Sequence, residues 1–192
     1  GLPALGNDLE NYLVSAGGSV TLKLEPGDTF KIINLEGLQQ AELVVFNSKG
    51  ECSLSPLSLK SEHKGDLTKN ILTSSEESAQ IAYSKLKRLG HDVNSINQSI
   101  LVFSKEAEAN SVEEFSSNDS SICIISAPGE FEITHENIPA SELRVIVQRS
   151  RKREEGEFLL PDPLMDPVEE IFVKRYTAMA YEVQEGDFIQ VI

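Results

Sequence analysis

Apolar and polar residues alternate along much of the chain. Val20, Leu22 and Leu24 alternate with Thr21, Lys23 and Glu25, the two-residue period of a strand with one buried face. Pro26-Gly27-Asp28 then predicts a turn, because proline presets φ and glycine admits positive φ. Phe30, Ile32 and Ile33 carry a second strand to Asn34, Glu36-Gly37 predicts another turn, and Ala41 to Phe46 predicts a third strand. Three short strands joined by tight turns are expected to form a meander within one sheet. Residues 48–70 are polar, carry turn signals at Lys49-Gly50 and Lys64-Gly65-Asp66, and are expected to be irregular.

A helix follows. Ala79, Ala82, Tyr83, Leu86 and Leu89 make one apolar stripe at helical spacing. Ser74 and Glu77 predict a capping box at its start. Lys85, Lys87 and Arg88 suit its negative end, and Gly90 suits the left-handed residue beyond it. Further strands are predicted at Ile100 to Phe103, Ile122 to Ser126, Phe131 to Thr134 (extending the sheet after Pro128-Gly129) and Leu143 to Val147. Lys105 to Phe115 reads as a weak acidic helix or a loop, and Ser116 to Ser121 as a polar turn. The fold class is therefore α+β and β-rich, a sandwich- or barrel-like, mostly antiparallel sheet with one or two helices.

Residues 1–150 form the predicted domain. Residues 151–169 hold Pro161, Pro163 and Pro167 and read as a stiff connector. The basic cluster Arg149, Arg151, Lys152 and Arg153, followed by Glu154, Glu155 and Glu157, reads as a solvated charge run. Val20 to Ile33 lines up with Met179 to Ile192, sharing the Gly-Asp turn and the alternating apolar positions. Residues 170–192 are accordingly expected to begin a truncated second copy, packed as extra strands or pairing with another copy of the chain through their open edge.

The 192 residues include 31 acidic and 17 basic side chains, a net charge of −14. That balance excludes nucleic acid as a partner, since phosphate neutralisation needs a basic face, and disfavours anionic membranes. No apolar run is long enough to cross a bilayer, and no secretory signal is visible, so a cytoplasmic location is expected. Cys52 and Cys123 form no CxxC pair and read as reduced thiols, Cys123 as a small core residue. His63, His91 and His135 lie in different elements without ligand spacing and read as exposed or half-exposed loop residues, so no metal site is expected. Cys52, in a loop after Lys49-Gly50-Glu51, is a candidate reactive thiol.

Three stretches resemble the urea carboxylase-associated family. They are Gly27 to Asn47, Asn97 to Phe103 with the preceding helix and Gly90, and Ser126-Ala127-Pro128-Gly129-Glu130-Phe131-Glu132-Ile133 with Glu142 to Val147. In the first, Gln39 and Glu42 occupy the family's Gln and acidic positions. The resemblance implies a polar ligand pocket at Gln39, Glu42, Gly129 and Glu130. The plainer reading, preferred on the residues, is that Glu36, Gly37 and Gln39 form a hairpin turn and Glu42 points outward from a strand. The family's Cys-Gly and Cys-Pro are missing; the chain reads Gln148-Arg149-Ser150 after its last strand, and His91-Asp92 lacks a neighbouring cysteine. No catalytic residue is therefore assigned.

The resemblance and the cut repeat imply an amino-terminal, catalytically degenerate accessory domain of an aminomethyltransferase-like one-carbon enzyme. The expected partner is the rest of that polypeptide, with self-association of the chain alongside. No cofactor is expected in this domain; tetrahydrofolate belongs to the parent protein. The alternatives are a carbon–nitrogen hydrolase acting on a guanidine- or urea-like substrate through Cys52 or Cys123, and a domain sensing a small amine or amino acid.

Overall fold

The computed structural model describes residues 9–128, 131–133, 136–138, 141–151, 178 and 180. The connector and the expected second copy lie outside the described residues, apart from Arg151, Ala178 and Ala180.

The elements run β1 (Leu9–Val14), β2 (Ser19–Leu24), β3 (Thr29–Asn34), β4 (Ala41–Asn47), α1 (Asp66–Leu72), α2 (Glu77–Arg88), β5 (Ile100–Val102), β6 (Ser111–Ser116), β7 (Ser121–Ser126), β8 (Phe131–Ile133), β9 (Glu136–Ile138) and β10 (Leu143–Gln148). They form two antiparallel four-stranded sheets, ordered β1-β10-β3-β6 and β2-β7-β4-β5. This is the strand order of a jelly roll. The β-rich α+β sandwich expected from the alternation is what the chain forms.

The meander is corrected: β2 and β4 share one sheet, whereas β3 lies in the other. A two-residue period says which face of a strand is buried, not which strand lies beside it. Phe131–Ile133 does not extend a main sheet either. Among the described residues it pairs with Glu136–Ile138, as a separate two-stranded unit.

Side chains from both sheets fill the sandwich. Leu22, Leu24, Phe30, Ile32, Leu43, Cys123, Ile125 and Val145 belong to one buried apolar cluster. Cys123 is fully enclosed there, and burial pushes its thiol well above the ordinary range. A second cluster lies on the outer face of β4 and β7, where Val44, Phe46, Ile122 and Ile124 meet Leu72 of α1 and Leu86 of α2. Both faces of β4 and β7 are thus covered, which explains their continuous apolar runs.

Three elements differ from expectation. α1 lies within the stretch expected to be irregular. β1 precedes the first predicted strand. Ser111–Ser116 is an edge strand rather than an acidic helix or loop, paired with β3 so that Phe115 stacks on Phe30 with centroids 5.2 Å apart. Its Glu113 and Glu114 are exposed, as suits an edge that must not recruit a further strand.

The main helix is Glu77–Arg88, capped by the extended backbone of Glu76 without a side-chain bond. The capping box fails because the Ser74 amide is bonded to Ile71 O, at the end of α1. Leu89 is 49% exposed and leaves the predicted stripe. Gly90 does end the helix: at φ +85°, its amide reaches Lys87 O and the His91 amide reaches Leu86 O, a Schellman motif.

Arg149 corrects the reading of a solvated basic run. Its guanidinium grips Glu10 of β1 with Nε and Nη2 at 2.9 and 2.7 Å, while Nη1 donates to Asp28 Oδ2 and Lys23 O, both at 2.7 Å. Glu10 also accepts the Tyr12 hydroxyl at 2.6 Å. Burial, and then that hydrogen bond to a carboxylate, raises the Tyr12 hydroxyl above its ordinary range. Asp28 is almost wholly enclosed. Burial alone would raise its carboxyl, but the amides of Ser150 and Glu25, together with Arg149, outweigh it and hold the pKa below the ordinary value.

A carboxyl lowered on folding contributes stability above its unfolded pKa of about 3.9 and loses it as pH falls through the folded value. Arg149→Met should therefore cost about 3 kcal/mol at neutral pH, because two enclosed carboxylates lose their counter-charge. The gap from the parent should shrink below about pH 4 as Asp28 becomes protonated. Urea unfolding from pH 7 to 3 measures this; a gap that stays constant across the range would show that Arg149 acts through packing alone.

Candidate functional site

Of the four residues implied by the resemblance, Gln39 and Glu42 lie where β3 leads into β4, beside the end of β7. Gly129 and Glu130 lie outside the described residues. Gln39 and Glu42 are both 2% exposed: Gln39 is not a surface turn residue, and Glu42 does point outward from its strand but is covered there rather than solvated.

Gln39 spans a gap in the fold. Its Nε2 donates to Pro128 O at 2.9 Å and to Gln40 O at 2.7 Å, while its Oε1 accepts the Ser141 amide at 2.9 Å. Pro128 and Ser141 flank the 129–140 excursion that contains β8 and β9. One amide side chain thus fixes both ends of the segment that carries Gly129 and Glu130. Asn34 supports it, donating from Nδ2 to Gln39 O at 2.7 Å. Gly37 sits in the same crossing at φ +79°, and a Cβ there would lie 2.7 Å from Ala107 O and from Ala109 N. Only glycine combines that backbone conformation with that approach.

Glu42 alternates with Val44 and Phe46 on the outer face of β4, and α1 covers it. Its Oε2 accepts the Thr68 amide at 2.6 Å, and its Oε1 accepts the Ser99 hydroxyl at 2.9 Å. Thr68 is the third residue of α1, whose own N-cap, Gly65, has no side chain to offer. Glu42 therefore performs from a strand the service that a Ser or Asp normally performs from the N-cap position. A carboxylate at that end also opposes the helix dipole favourably. The Thr68 hydroxyl bonds that of Ser126, which in turn bonds Glu42 O at 3.3 Å. Glu42, Thr68, Ser99 and Ser126 make a buried polar cluster joining α1 to β4 and β7. Its hydroxyls are buried and oriented by one another, an arrangement that fixes geometry.

The candidate thiol has a different setting. Cys52 is half-buried beside the outer apolar cluster, and its Sγ–H donates to Gln98 O at 3.6 Å. Its hydrogen-bond partner is a backbone carbonyl, not a base that could take its proton. His63 is exposed and pairs through its backbone with Ser99. His91 is half-buried with its ring against Phe46, and burial lowers its pKa. His135 lies outside the described residues. Among the described residues, no group of three or more His, Cys, Asp or Glu could hold a metal ion, and no helix is long and apolar enough to cross a membrane.

No family model matches the chain. It is 32% identical over 187 residues to a trimethylamine-oxide aldolase from Ruegeria pomeroyi (strain ATCC 700808 / DSM 15171 / DSS-3), a match covering 95% of this chain and 23% of the relative. The chain thus spans about a quarter of the length of that curated relative. Among solved structures it is similar to the crystal structure of a DUF1989 family protein from Silicibacter pomeroyi DSS-3, with TM-score 0.47, 12% identity, 79% of this chain covered and 85% of that one.

The similarity to an aldolase overturns the expected accessory domain of a tetrahydrofolate-dependent aminomethyltransferase. The transferase, one-carbon and folate assignments fall with it, because an aldolase is a lyase. The activity for which that relative is named is neither the hydrolysis nor the sensing of the two alternatives. The hydrolase also lacks its nucleophile in the described residues, with Cys123 enclosed and its thiol pushed up and Cys52 bonded to a carbonyl.

Glu42 and Gln39 act here on backbone amides and carbonyls, and this has a measurable consequence. Glu42→Gln keeps the shape but removes the charge and turns one acceptor into a donor, so one of the Thr68 and Ser99 donors loses its partner. It should cost about 1–3 kcal/mol, with faster hydrogen exchange concentrated in the amides of α1. Uniform exchange across both sheets and α1 would show that Glu42 does not cap that helix.

Proposed function

We propose that this chain is one domain of a lyase of the trimethylamine-oxide aldolase kind. The observation that carries this reading is the 32% identity sustained over 187 residues, nearly the whole chain. An aldolase releases a carbonyl compound, and the only carbons of trimethylamine oxide are its methyl groups. Cleavage to formaldehyde and dimethylamine balances with no further reactant. One N–C bond and the N–O bond break, a C=O bond forms, and a methyl proton passes to nitrogen. The methyl carbon is oxidised as the nitrogen is reduced.

In this reading the jelly roll is the scaffold of the domain. Gln39 and Glu42 are positioning residues: Gln39 holds Pro128 and Ser141, at the two ends of the 129–140 excursion, and Glu42 holds α1 against β4. The resemblance to the urea carboxylase-associated family fits the same assignment, because it rests on the stretches around Gln39, Glu42 and Ser126 to Ile133.

The test is a chimera in which this chain replaces the quarter of the Ruegeria pomeroyi enzyme that it matches. The chimera is expected to release formaldehyde and dimethylamine in equal amounts from trimethylamine oxide. A folded chimera that releases neither would contradict the reading. So would one that cannot fold, since a domain of the same kind must fit the same neighbours.

A further inference from the structure

The outer apolar cluster is bordered by a histidine. His91 follows the Gly90 that terminates α2, and its amide donates to Leu86 O at 2.9 Å. Its ring is half-buried against Phe46 of β4, with centroids 5.2 Å apart and planes at 39°. The loop after β4 closes on the same corner: a Cβ on Gly50 would lie 2.8 Å from Gly90 O and 3.7 Å from His91 Nδ1. Nδ1 is buried there with no hydrogen-bond partner. Buried polar atoms are almost always satisfied, so one that is not calls for a reason.

The unpartnered nitrogen makes this corner sensitive to one proton. A neutral imidazole can leave Nδ1 as an unused acceptor, whereas imidazolium carries N–H on both nitrogens. Protonation would put a charge and a donor where nothing accepts them, and that costs more than an idle lone pair. The surrounding charged groups do not offset this. The last turn of α2 brings Lys85, Lys87 and Arg88, all cationic. Asp92 comes next, but its Oδ1 accepts the Asn94 amide at 2.9 Å. In the loop, Lys49 and Glu51 flank Gly50, and Glu51 Oε2 accepts Asn47 Nδ2 at 3.0 Å. On β4, Glu42 is engaged by Thr68 and Ser99, and Cys52, bridged to Phe46, donates to Gln98 O. β7 adds only Ile122 and Ile124 to this cluster. The carbonyl end of α2 favours a cation, but burial outweighs it and holds the His91 pKa below its ordinary value.

We propose that His91 is a pH-sensitive latch: neutral, it seats the end of α2 on β4, and protonated, it releases that end while the sandwich stays folded. The sheets do not depend on the latch. Their interior is a separate apolar cluster, whereas α2 rests on the outer face, with Ala79 and Leu86 buried and Ala82 and Tyr83 half-buried. A helix with so few buried contacts opens more readily than the core strands beneath it. A histidine whose pKa is lowered on folding contributes stability that is complete above its unfolded value of about 6.5 and is lost as pH falls through the folded value. The latch therefore holds at neutral pH and loosens in mild acid. The inference stands on this corner and does not depend on the lyase reading.

The test is NMR of the full chain between about pH 7.5 and 5.5, above the range where ordinary carboxylates titrate. The His91 ring should titrate below about 6.5. Hydrogen exchange of the Leu89, Gly90 and His91 amides, corrected for its intrinsic pH dependence, should lose about three- to tenfold in protection across that range relative to the amides of β4 and β7. His91→Phe keeps a ring against Phe46 and removes the proton, so its protection should not change with pH. His63→Gln, at an exposed position, should retain the parent's loss. A His91 ring titrating at or above about 6.5, an equal loss across α2 and both sheets, or the same loss in a folded His91→Phe would each overturn the proposal. If His91→Phe does not fold, the parent's ring titration and its exchange pattern decide between the outcomes.

Discussion

A buried guanidinium has five N–H donors in a fixed plane, and it is tolerated only where acceptors stand in that plane. Arg149, just past β10, meets this demand with Glu10 of β1, Asp28 of the β2–β3 turn and the Lys23 carbonyl of β2. Those partners belong to both sheets and to the connection between them. β10 is inserted between β1 and β3, and the residue after it locks β1 and the β2–β3 crossing around it. Satisfying one charged group thus fixes how the two sheets close at that end.

The rest of the architecture follows from where apolar side chains can go. The interior is filled by the inward faces of both sheets, so a jelly roll that in other proteins encloses a ligand is here a packed core. A buried polar cluster lies instead on the outer face of β4 and β7, where Glu42 caps α1. The residues singled out by the motifs behave alike: Gln39 bonds backbone amides and carbonyls at both ends of the 129–140 excursion, and Glu42 bonds the Thr68 amide and the Ser99 hydroxyl.

The strands buried on one or both faces were legible because their periodicity is strong: β2, β3, β4, β7 and β10 fall where the alternation or the apolar runs put them. β6 was not, since Ser-Val-Glu-Glu-Phe-Ser exposes most of its residues as an edge and glutamates are poor strand formers in isolation. α1 has seven residues, too few to persist alone, and its cap comes from a residue 26 positions earlier. No local pattern encodes such a cap. Arg149 was misread for the same reason: its neighbours in sequence are charged and polar, whereas Glu10 and Asp28 lie 139 and 121 positions away. Gln39 and Glu42 were identifiable as a pair through the Gly-x-Gln pattern, but their burial and their partners were not, because both arise from contacts with residues brought in by the fold.

The central claim is that Arg149 and its carboxylates act together to close the sandwich, and a double-mutant cycle addresses it most directly. Glu10→Gln, Arg149→Met and the combined variant would be unfolded in urea at neutral pH. A coupling energy of roughly 2 kcal/mol or more is expected between the two positions, in the range for groups sharing one buried network. Coupling within about 0.5 kcal/mol of zero, the additivity of independent sites, would contradict the account.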